Sequence, residues 1–417
     1  MLILHIKNEH MKINGTFFLC GYFTAEGATD ALPGWKAEVA DAKQTELFSN
    51  FYFPEFVAFH KDDVRHFSLG IDRDVSIRLR SGKDFGFKVT EDLLWAMPGS
   101  LALFAVRIDA AGKDIDEVTE AMGILRSCSF YADYAVQDFI KTALEPIEKT
   151  YEILHGPCGH AEGNYSHLVE NGNKFKIFQI LDSPQCPDDP EERNRLLYAA
   201  ATLSRHETQE PYSTDRYYYE STMSSHRLGV FSSWTAMMLL DTVTFLGKDI
   251  SDFLKKIWTE DYFGRIYTYE LFRKCYLYRH NKRFRSGKED PSALQDELVD
   301  FERKYTFTSI SYNFLPEEVD AAIVSGLDLR KEQKSLSDLI AQETSVREER
   351  SSRSRDRFLL FLTCLASMSA IYDTTCLLDE VIRYEEAFPS AALGYRLFSA
   401  VTMVIIAAAA FRSMRRK

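Results

Sequence analysis

The sequence lacks the short motifs that mark common nucleotide-dependent and hydrolytic enzymes. It has no glycine-rich phosphate loop and no Gly-x-Ser-x-Gly nucleophile elbow, and its paired acidic residues cannot be linked to a cleft. We therefore expect no enzyme activity and no resident cofactor. Met1–His10 lacks a basic start and a long apolar run, so no signal peptide is predicted.

Cysteine and positive charge are also in short supply. The seven cysteines are odd in number and scattered, which is typical of reduced thiols and argues against a disulfide framework. The net charge of -12 argues against broad electrostatic binding to nucleic acid. In contrast, 45% of the 417 residues are hydrophobic, so the chain can bury a sizeable core.

Residues 1–191 are predicted to form a cytosolic α/β domain. Strand candidates are Lys12–Phe23, which is aromatic and contains Asn-Gly, the alternating Val75–Arg80, Leu101–Ile108 and Lys174–Leu181. Asp114–Cys128 places its apolar residues on one helical face. Strands with intervening helices favour an α/β fold.

Residues 192–313 are predicted to be a cytosolic helical segment, because most of their apolar residues recur at helical spacing. The helices expected are Arg193–Ser204, Ser221–Leu246 with a break near Gly229, and Ile250–Arg285.

A stalk helix is predicted over residues 314–357. Pro316 suits a first helical turn, and no proline or glycine interrupts Leu327–Leu393, so one helix should run from the stalk into the apolar end of the chain. The alternative is two helices with a break at Ser351–Arg355.

The end of the chain predicts a two-helix transmembrane hairpin. Its parts are transmembrane helix 1 over residues 358–382, an outer loop over 383–396, transmembrane helix 2 over 397–411 and a basic cytosolic tail over 412–417. Phe358–Leu378 has 21 residues with one charge, Asp373, and about 20 such residues cross a bilayer core. Leu397–Phe411 has only 15, so Arg396 would have to snorkel.

The charges that flank the two runs predict their orientation. Two basic residues lie in the loop between the runs, Arg383 and Arg396. Nine lie on the other side: Arg347, Arg350, Arg353, Arg355, Arg357, Arg412, Arg415, Arg416 and Lys417. By the positive-inside rule, the chain would be a multi-pass inner-membrane protein with both termini cytoplasmic. The alternative is a hairpin buried within a protein outside the membrane.

This arrangement resembles the CorA family of cation channels over Pro316–Lys417. Leu362-Thr363 and Gly394-Tyr395 match dipeptides of that family at similar separation, whereas Glu380-Val381-Ile382 stands where the family has Gly-Met-Asn. The resemblance implies a homopentamer in the bilayer, with the first membrane helix lining a pore that the cytosolic domains gate. The missing motif argues against ordinary magnesium selectivity.

Every third or fourth residue of the first membrane helix defines a candidate pore-lining face that carries Asp373 and, beyond the apolar run, Glu380. Asp373 is the candidate site for a transported cation, because a ring of carboxylates around a water path binds cations. Alternatively, Asp373 packs helices together through Thr374 or Thr375 of a neighbour. The face consists of Thr363, Ala366, Ala370, Asp373, Leu377 and Glu380.

Two weaker candidates lie in the first 313 residues. His226, Arg227 and Trp234 place donors and a ring near a helix break, where they could hold a phosphate or small nucleotide, although a packed helix kink explains them as well. A loop with His155, Cys158 and His160, and Cys186 downstream, matches no standard zinc spacing and suggests surface residues instead.

The sequence thus supports a CorA-like oligomeric cation channel gated by its large cytosolic domain. Members without the usual motif accompany prokaryotic antiviral systems of the type III CRISPR kind, so activation by a nucleotide messenger is one expectation. The alternatives are a divalent metal cation transporter of the magnesium or cobalt type and a membrane-anchored scaffold without a pore.

Overall fold

Strand β1 (Lys12–Thr24) lies at the centre of a mixed sheet. In the computed structural model, which describes residues 11–25, 32–38, 42–129, 134–156, 163–170, 174–204, 214–382 and 389–415, both faces of β1 are covered. Phe17 and Phe18 point to opposite faces, and neither is exposed to solvent. A strand that is apolar on both sides belongs between two layers of helices.

The described residues form a nine-stranded sheet in the order β2-β3-β4-β5-β1-β6-β9-β8-β7. Pairing is antiparallel throughout, except that β6 and β9 are parallel. The remaining strands are β2 (Lys36–Ala37), β3 (Arg65–Arg78), β4 (Asp84–Met97), β5 (Leu101–Asp114), β6 (Lys176–Asp182), β7 (Arg227–Leu228), β8 (Trp234–Met238) and β9 (Thr242–Gly247).

Thirteen α-helices are described. They are α1 (Ala42–Phe51), α2 (Pro54–Ala58), α3 (Ile115–Ser127), α4 (Gln137–Phe139), α5 (Glu145–His155), α6 (Pro190–Thr202), α7 (Arg216–His226), α8 (Asp252–Ile257), α9 (Thr268–Ser286), α10 (Pro291–Tyr305), α11 (Phe314–Gly326), α12 (Leu329–Ile382) and α13 (Pro389–Arg415). Phe59–Asp63, Ile140–Leu144 and Trp258–Tyr267 are π-helical, and Tyr134–Val136 and Ser166–Leu168 are 3₁₀ turns.

Helices cover the two faces of the sheet in different ways. On one face, α3, α5 and α6 pack their apolar residues onto the strands in one continuous core. On the other face, the π-helix Trp258–Tyr267 contributes rings: Phe263 stacks on Phe18 with centroids 3.7 Å apart, and Trp258 lies 4.9 Å from Phe245. This aromatic layer covers only part of the second face, and a polar part of the sheet lies beside it.

The chain forms two compact units. The first comprises Met1–Lys288 and Asp296–Leu336 and contains the sheet, and the second comprises Glu289–Gln295 and Ser337–Lys417. The predicted continuous stalk is broken once, because α11 ends before Asp328, whose φ of 55° is left-handed. From Leu329 the 54-residue helix α12 continues without interruption through Ser351–Arg355.

The predicted transmembrane hairpin is wrong for the part of the chain that the structure describes, where no helix combines the length and apolarity that a membrane crossing needs. Only fifteen residues separate Arg357 from Asp373 in α12, and only fifteen separate Arg396 from Arg412 in α13. About 20 are required. Three predictions are therefore wrong: the fold class with a CorA-like hairpin, the membrane and ion-channel interpretations, and the multi-pass inner-membrane location.

The segment 192–313 is not purely helical. Within the predicted helix Ser221–Leu246 the structure has the end of α7 and strands β7, β8 and β9. All residues of β8 and β9 are buried. The two strands have only five and six residues. Over so short a run, periodicity cannot distinguish a buried strand from part of a helix.

Candidate functional site

The sheet opens into a fork between β4 and β5. Their pairing stops at Lys88–Asp109, although β4 continues to pair with β3 as far as Asp84, and β5 continues to pair with β1 as far as Asp114. The β3–β4 pair and the β1–β5 pair therefore separate. A cleft of about 800 Å³ occupies this fork, which is within the range typical of small-ligand sites.

A polar row crosses the base of the cleft. Asp74 of β3 is opposite Lys88 of β4, Lys88 is opposite Asp109 of β5, and Asp109 is opposite Thr16 of β1. Residues directly opposite in a ladder project on the same face. The register therefore brings two carboxylates, an ammonium and a hydroxyl together from four strands.

Asp109 is held in place from two directions. The Thr16 hydroxyl donates to its Oδ1 at 2.6 Å, and Arg107 Nε lies 3.5 Å from its Oδ2. Arg107 in turn donates to Glu91 at 3.1 Å. Asp109 is one-third exposed, so a carboxylate of fixed orientation, partly neutralised by a guanidinium, faces the cleft.

The three lysines of the cleft differ in their partners. Lys88 Nζ lies 2.7 Å from Asp72, and this hydrogen bond raises the pKa of Lys88. Lys255 Nζ lies 2.7 Å from Asp182. Lys113 is half-buried beside the Phe85 ring, with its Nζ 5.5 Å from the ring centroid. No ion pair of Lys113 occurs within the described part of the chain.

Backbone geometry fixes two further acids at the cleft. Asp182, at the end of β6, accepts from the Ile250 backbone N–H at 2.9 Å and thereby ties the segment before α8 to the sheet. Asp138 of α4 accepts from the backbone N–H of Ser76 on the outer side of β3, at 3.3 Å. The cleft is therefore built from charged side chains on four strands and two helices, and β1 adds the Thr16 hydroxyl.

No model of a protein family, no curated protein and no solved structure matches the chain. The resemblance to the CorA family accordingly stays a hypothesis from the sequence.

The three residues of the predicted nucleotide site have different surroundings in the structure. His226 ends α7, and Arg227 begins β7 and lies at the surface, 3.5 Å from Asn194. Trp234 is 2% exposed, and its ring centroid lies 5.3 Å from that of Trp258. Trp234 lies in strand β8 and is part of the aromatic core, and it does not line the fork.

The predicted pore-lining residues lie along α12. Asp373 is exposed and accepts from Ser369 of the same helix at 3.4 Å, and the Thr363 hydroxyl donates to the Leu359 carbonyl at 2.8 Å. Ala366, Ala370 and Leu377 are exposed, and the side chain of Glu380 lies outside the described residues. The pore-lining role stays an untested prediction, and it depended on the membrane hairpin.

The weak zinc candidates are only partly described. His155 ends α5 with its ring 5.0 Å from that of Tyr151, and Cys186 is buried. Cys158 and His160 lie outside the described residues. Among the residues searched, no group of three or more histidines, cysteines or acids is arranged to hold a metal ion.

Sequence reasoning missed the residues of the fork. Asp74 and Lys88 are the first signal, since polar residues interrupt both strands in the same region. The second signal is Gly86, which stands between Phe85 and Phe87 in a strand. An isolated glycine inside a strand pattern marks a bulge or a place where another group approaches closely.

Proposed function

We propose that the first unit is a ligand-binding module, and that its fork binds a small polar molecule. The expectation of a large domain that responds to a ligand is kept, but the ligand site moves from the region of Trp234 to the cleft between β4 and β5.

One observation carries this proposal: the cleft of about 800 Å³ is lined by charged groups that lie along its base and rim. A stretch of sheet with only a structural role would close its ladder, since an unpaired edge exposes backbone donors and acceptors. Here β4 and β5 separate although each stays paired on its outer side. Convergent polar groups in a concave site mark ligand recognition.

The proposal is tested with a substitution that fills the cleft with a larger side chain. A Cβ at Gly86 would have only Lys113 Nζ nearby, at 4.0 Å, so Gly86→Ile places an apolar side chain in the cleft without a backbone clash. Gly70→Ile is the matched control, because Gly70 also lies in a strand, has open space around its Cβ and is outside the cleft. Both proteins would be screened by thermal shift against phosphates, carboxylates, amines and sugars.

We expect a subset of these compounds to raise the melting temperature of the wild type and of Gly70→Ile, and to leave Gly86→Ile unchanged. If the same compounds stabilise all three proteins equally, ligand binding occurs elsewhere and the fork is not the site.

A second proposal concerns assembly: we infer that the second unit associates with other copies of the chain. Five consecutive apolar residues of α12, Phe358 to Leu362, are each between 39% and 61% exposed. With 3.6 residues per turn, five consecutive residues surround the helix axis. The apolar surface is therefore continuous around the helix, and such surfaces mark association sites.

Neighbouring copies would supply the same apolar side chains, including Phe398 and Val404 of α13, which are 70% and 67% exposed. Light scattering should give a mass that is a multiple of 48.0 kDa, and the resemblance to CorA suggests five copies. Leu359→Glu should lower that mass, because it places a charge in the contact. A wild type that stays at 48.0 kDa at micromolar concentration would exclude self-association.

A further inference from the structure

We propose that the ligand of the fork is a phosphorylated polyol, such as a sugar phosphate or a nucleotide, with its phosphate on Lys113 and its hydroxyl groups on Asp109. This inference rests on the proposed ligand-binding function and names the chemical class that the cleft selects.

Lys113 is the group that selects an anion. The other two lysines of the cleft already lie 2.7 Å from Asp72 and Asp182. Lys113 has the Phe85 ring on one side and the open space in front of Gly86 on the other. Because Gly86 has no side chain, an anionic group can reach the Lys113 ammonium through that space.

Asp109 is the group that selects hydroxyls. The Thr16 hydroxyl donates a hydrogen bond to Oδ1, which orients the carboxylate, and the Arg107 guanidinium 3.5 Å from Oδ2 partly compensates its charge. Each carboxylate oxygen has further acceptor capacity. A neutral hydroxyl donor can use that capacity.

The spacing of the two groups separates a phosphorylated polyol from a free amino acid. Asp109 pairs with Thr16 and Lys113 pairs with Ile13. Thr16 and Ile13 are three residues apart on β1 and project on opposite faces of the sheet, so Asp109 and Lys113 approach the fork from different sides. A ligand must therefore present its anionic and hydroxyl groups at separate ends. An amino acid carries its carboxylate and ammonium on one carbon.

The test is calorimetric titration of the full chain with ribose 5-phosphate and AMP, and with ribose and inorganic phosphate as half-ligands. We expect at least one phosphorylated compound to bind, and each half-ligand to bind at least tenfold more weakly, as for the loss of a charge-assisted contact. Lys113→Met should weaken the phosphorylated ligand by about tenfold or more, and Lys113→Arg should restore most of the affinity.

Asp109→Asn should weaken ribose 5-phosphate and leave inorganic phosphate unchanged, because phosphate alone makes no contact with Asp109. Lys36→Met, an exposed lysine on β2 outside the cleft, should leave all affinities unchanged. If neither phosphorylated compound binds, or if Lys113→Met binds them like the wild type, the proposed ligand class is wrong. If compounds of another class then bind the wild type but not Gly86→Ile, the ligand-binding function of the fork holds and the ligand belongs to that other class.

Discussion

Asp92 allows a sharp test of how the sheet is stabilised. It is fully buried on β4, opposite Leu69 of β3 and Val106 of β5, and neither carboxylate oxygen has a hydrogen-bond partner among the described residues. Burial, with a smaller contribution from Glu91, raises the pKa of Asp92 well above its ordinary value. The apolar environment therefore favours the neutral form of Asp92 over its carboxylate.

Replacing Asp92 with Leu keeps the branching of the side chain and removes the unsatisfied oxygens. A buried polar group without a partner costs about 1–3 kcal/mol, so Asp92→Leu should raise the free energy of unfolding by that amount near pH 5. The wild-type contribution also depends on pH. The folded pKa lies above the unfolded one, so the folded state is favoured below the unfolded pKa and loses stability as pH rises towards the folded pKa.

Between the unfolded and the folded pKa of Asp92, the free energy of unfolding falls by about 1.4 kcal/mol per pH unit. The stabilisation by Asp92→Leu should therefore be larger at pH 7 than at pH 5. Asp92→Asn is the control, because it removes the titration and keeps a buried polar group.

Urea denaturation followed by tryptophan fluorescence measures this in the first unit, where Trp35, Trp95, Trp234 and Trp258 all lie. Asp92→Asn should lose the pH dependence without reaching the stability of Asp92→Leu. The reasoning is refuted if Asp92→Leu is less stable than the wild type at both pH values, or if Asp92→Asn keeps the wild-type pH dependence.

Two further predictions concern the helices of the first unit. Glu270 is fully buried and both of its oxygens lie 2.9 Å from Nη1 of Arg273. In urea denaturation, Glu270→Gln should lower the free energy of unfolding by about 3–5 kcal/mol, because the buried guanidinium loses the negative charge of Glu270. A loss below 1 kcal/mol, the size expected of a surface pair, would contradict this. Gly326→Ala would place a Cβ 2.6 Å from the Met238 carbonyl oxygen and should lower the free energy of unfolding by about 1–3 kcal/mol. Gly123→Ala in α3 has open space and should raise it by about 0.5–1 kcal/mol. Similar effects of the two substitutions in thermal melts would disprove the close approach at Gly326.

The sequence predicted those elements whose periodicity is visible. β1, β5, β6 and α3 all lie where the alternating or amphipathic runs indicated, and Asp114 caps α3 by accepting from the N–H groups of Asp116 and Glu117. β8 and β9 were missed because they are only five and six residues long and lie within a stretch predicted to be one helix. The hairpin was overpredicted because Asp373 was accepted inside the first run and Arg396 was assumed to snorkel beside the second.

The fork could not be predicted from the sequence, since it is a property of register. Its polar row takes one residue from each of four strands: Asp74, Lys88, Asp109 and Thr16. Thr16 and Asp109, which form a hydrogen bond, are 93 positions apart in the sequence. Only the alignment of the strands places them in one row. Local patterns can suggest that Gly86 is unusual, but they cannot show that β4 leaves β5 at Lys88.

The central position of β1 has a consequence for biosynthesis. β1 is made before its neighbours β5 and β6, which end at Asp114 and Asp182, so a ribosome must add about 160 further residues after β1 before both edges are paired. Until then at least one edge of a strand that is apolar on both faces has no partner. Slow translation or a holding chaperone should therefore affect the yield of this chain more than that of a protein whose central strand is made late, because unpaired strand edges are sites of aggregation.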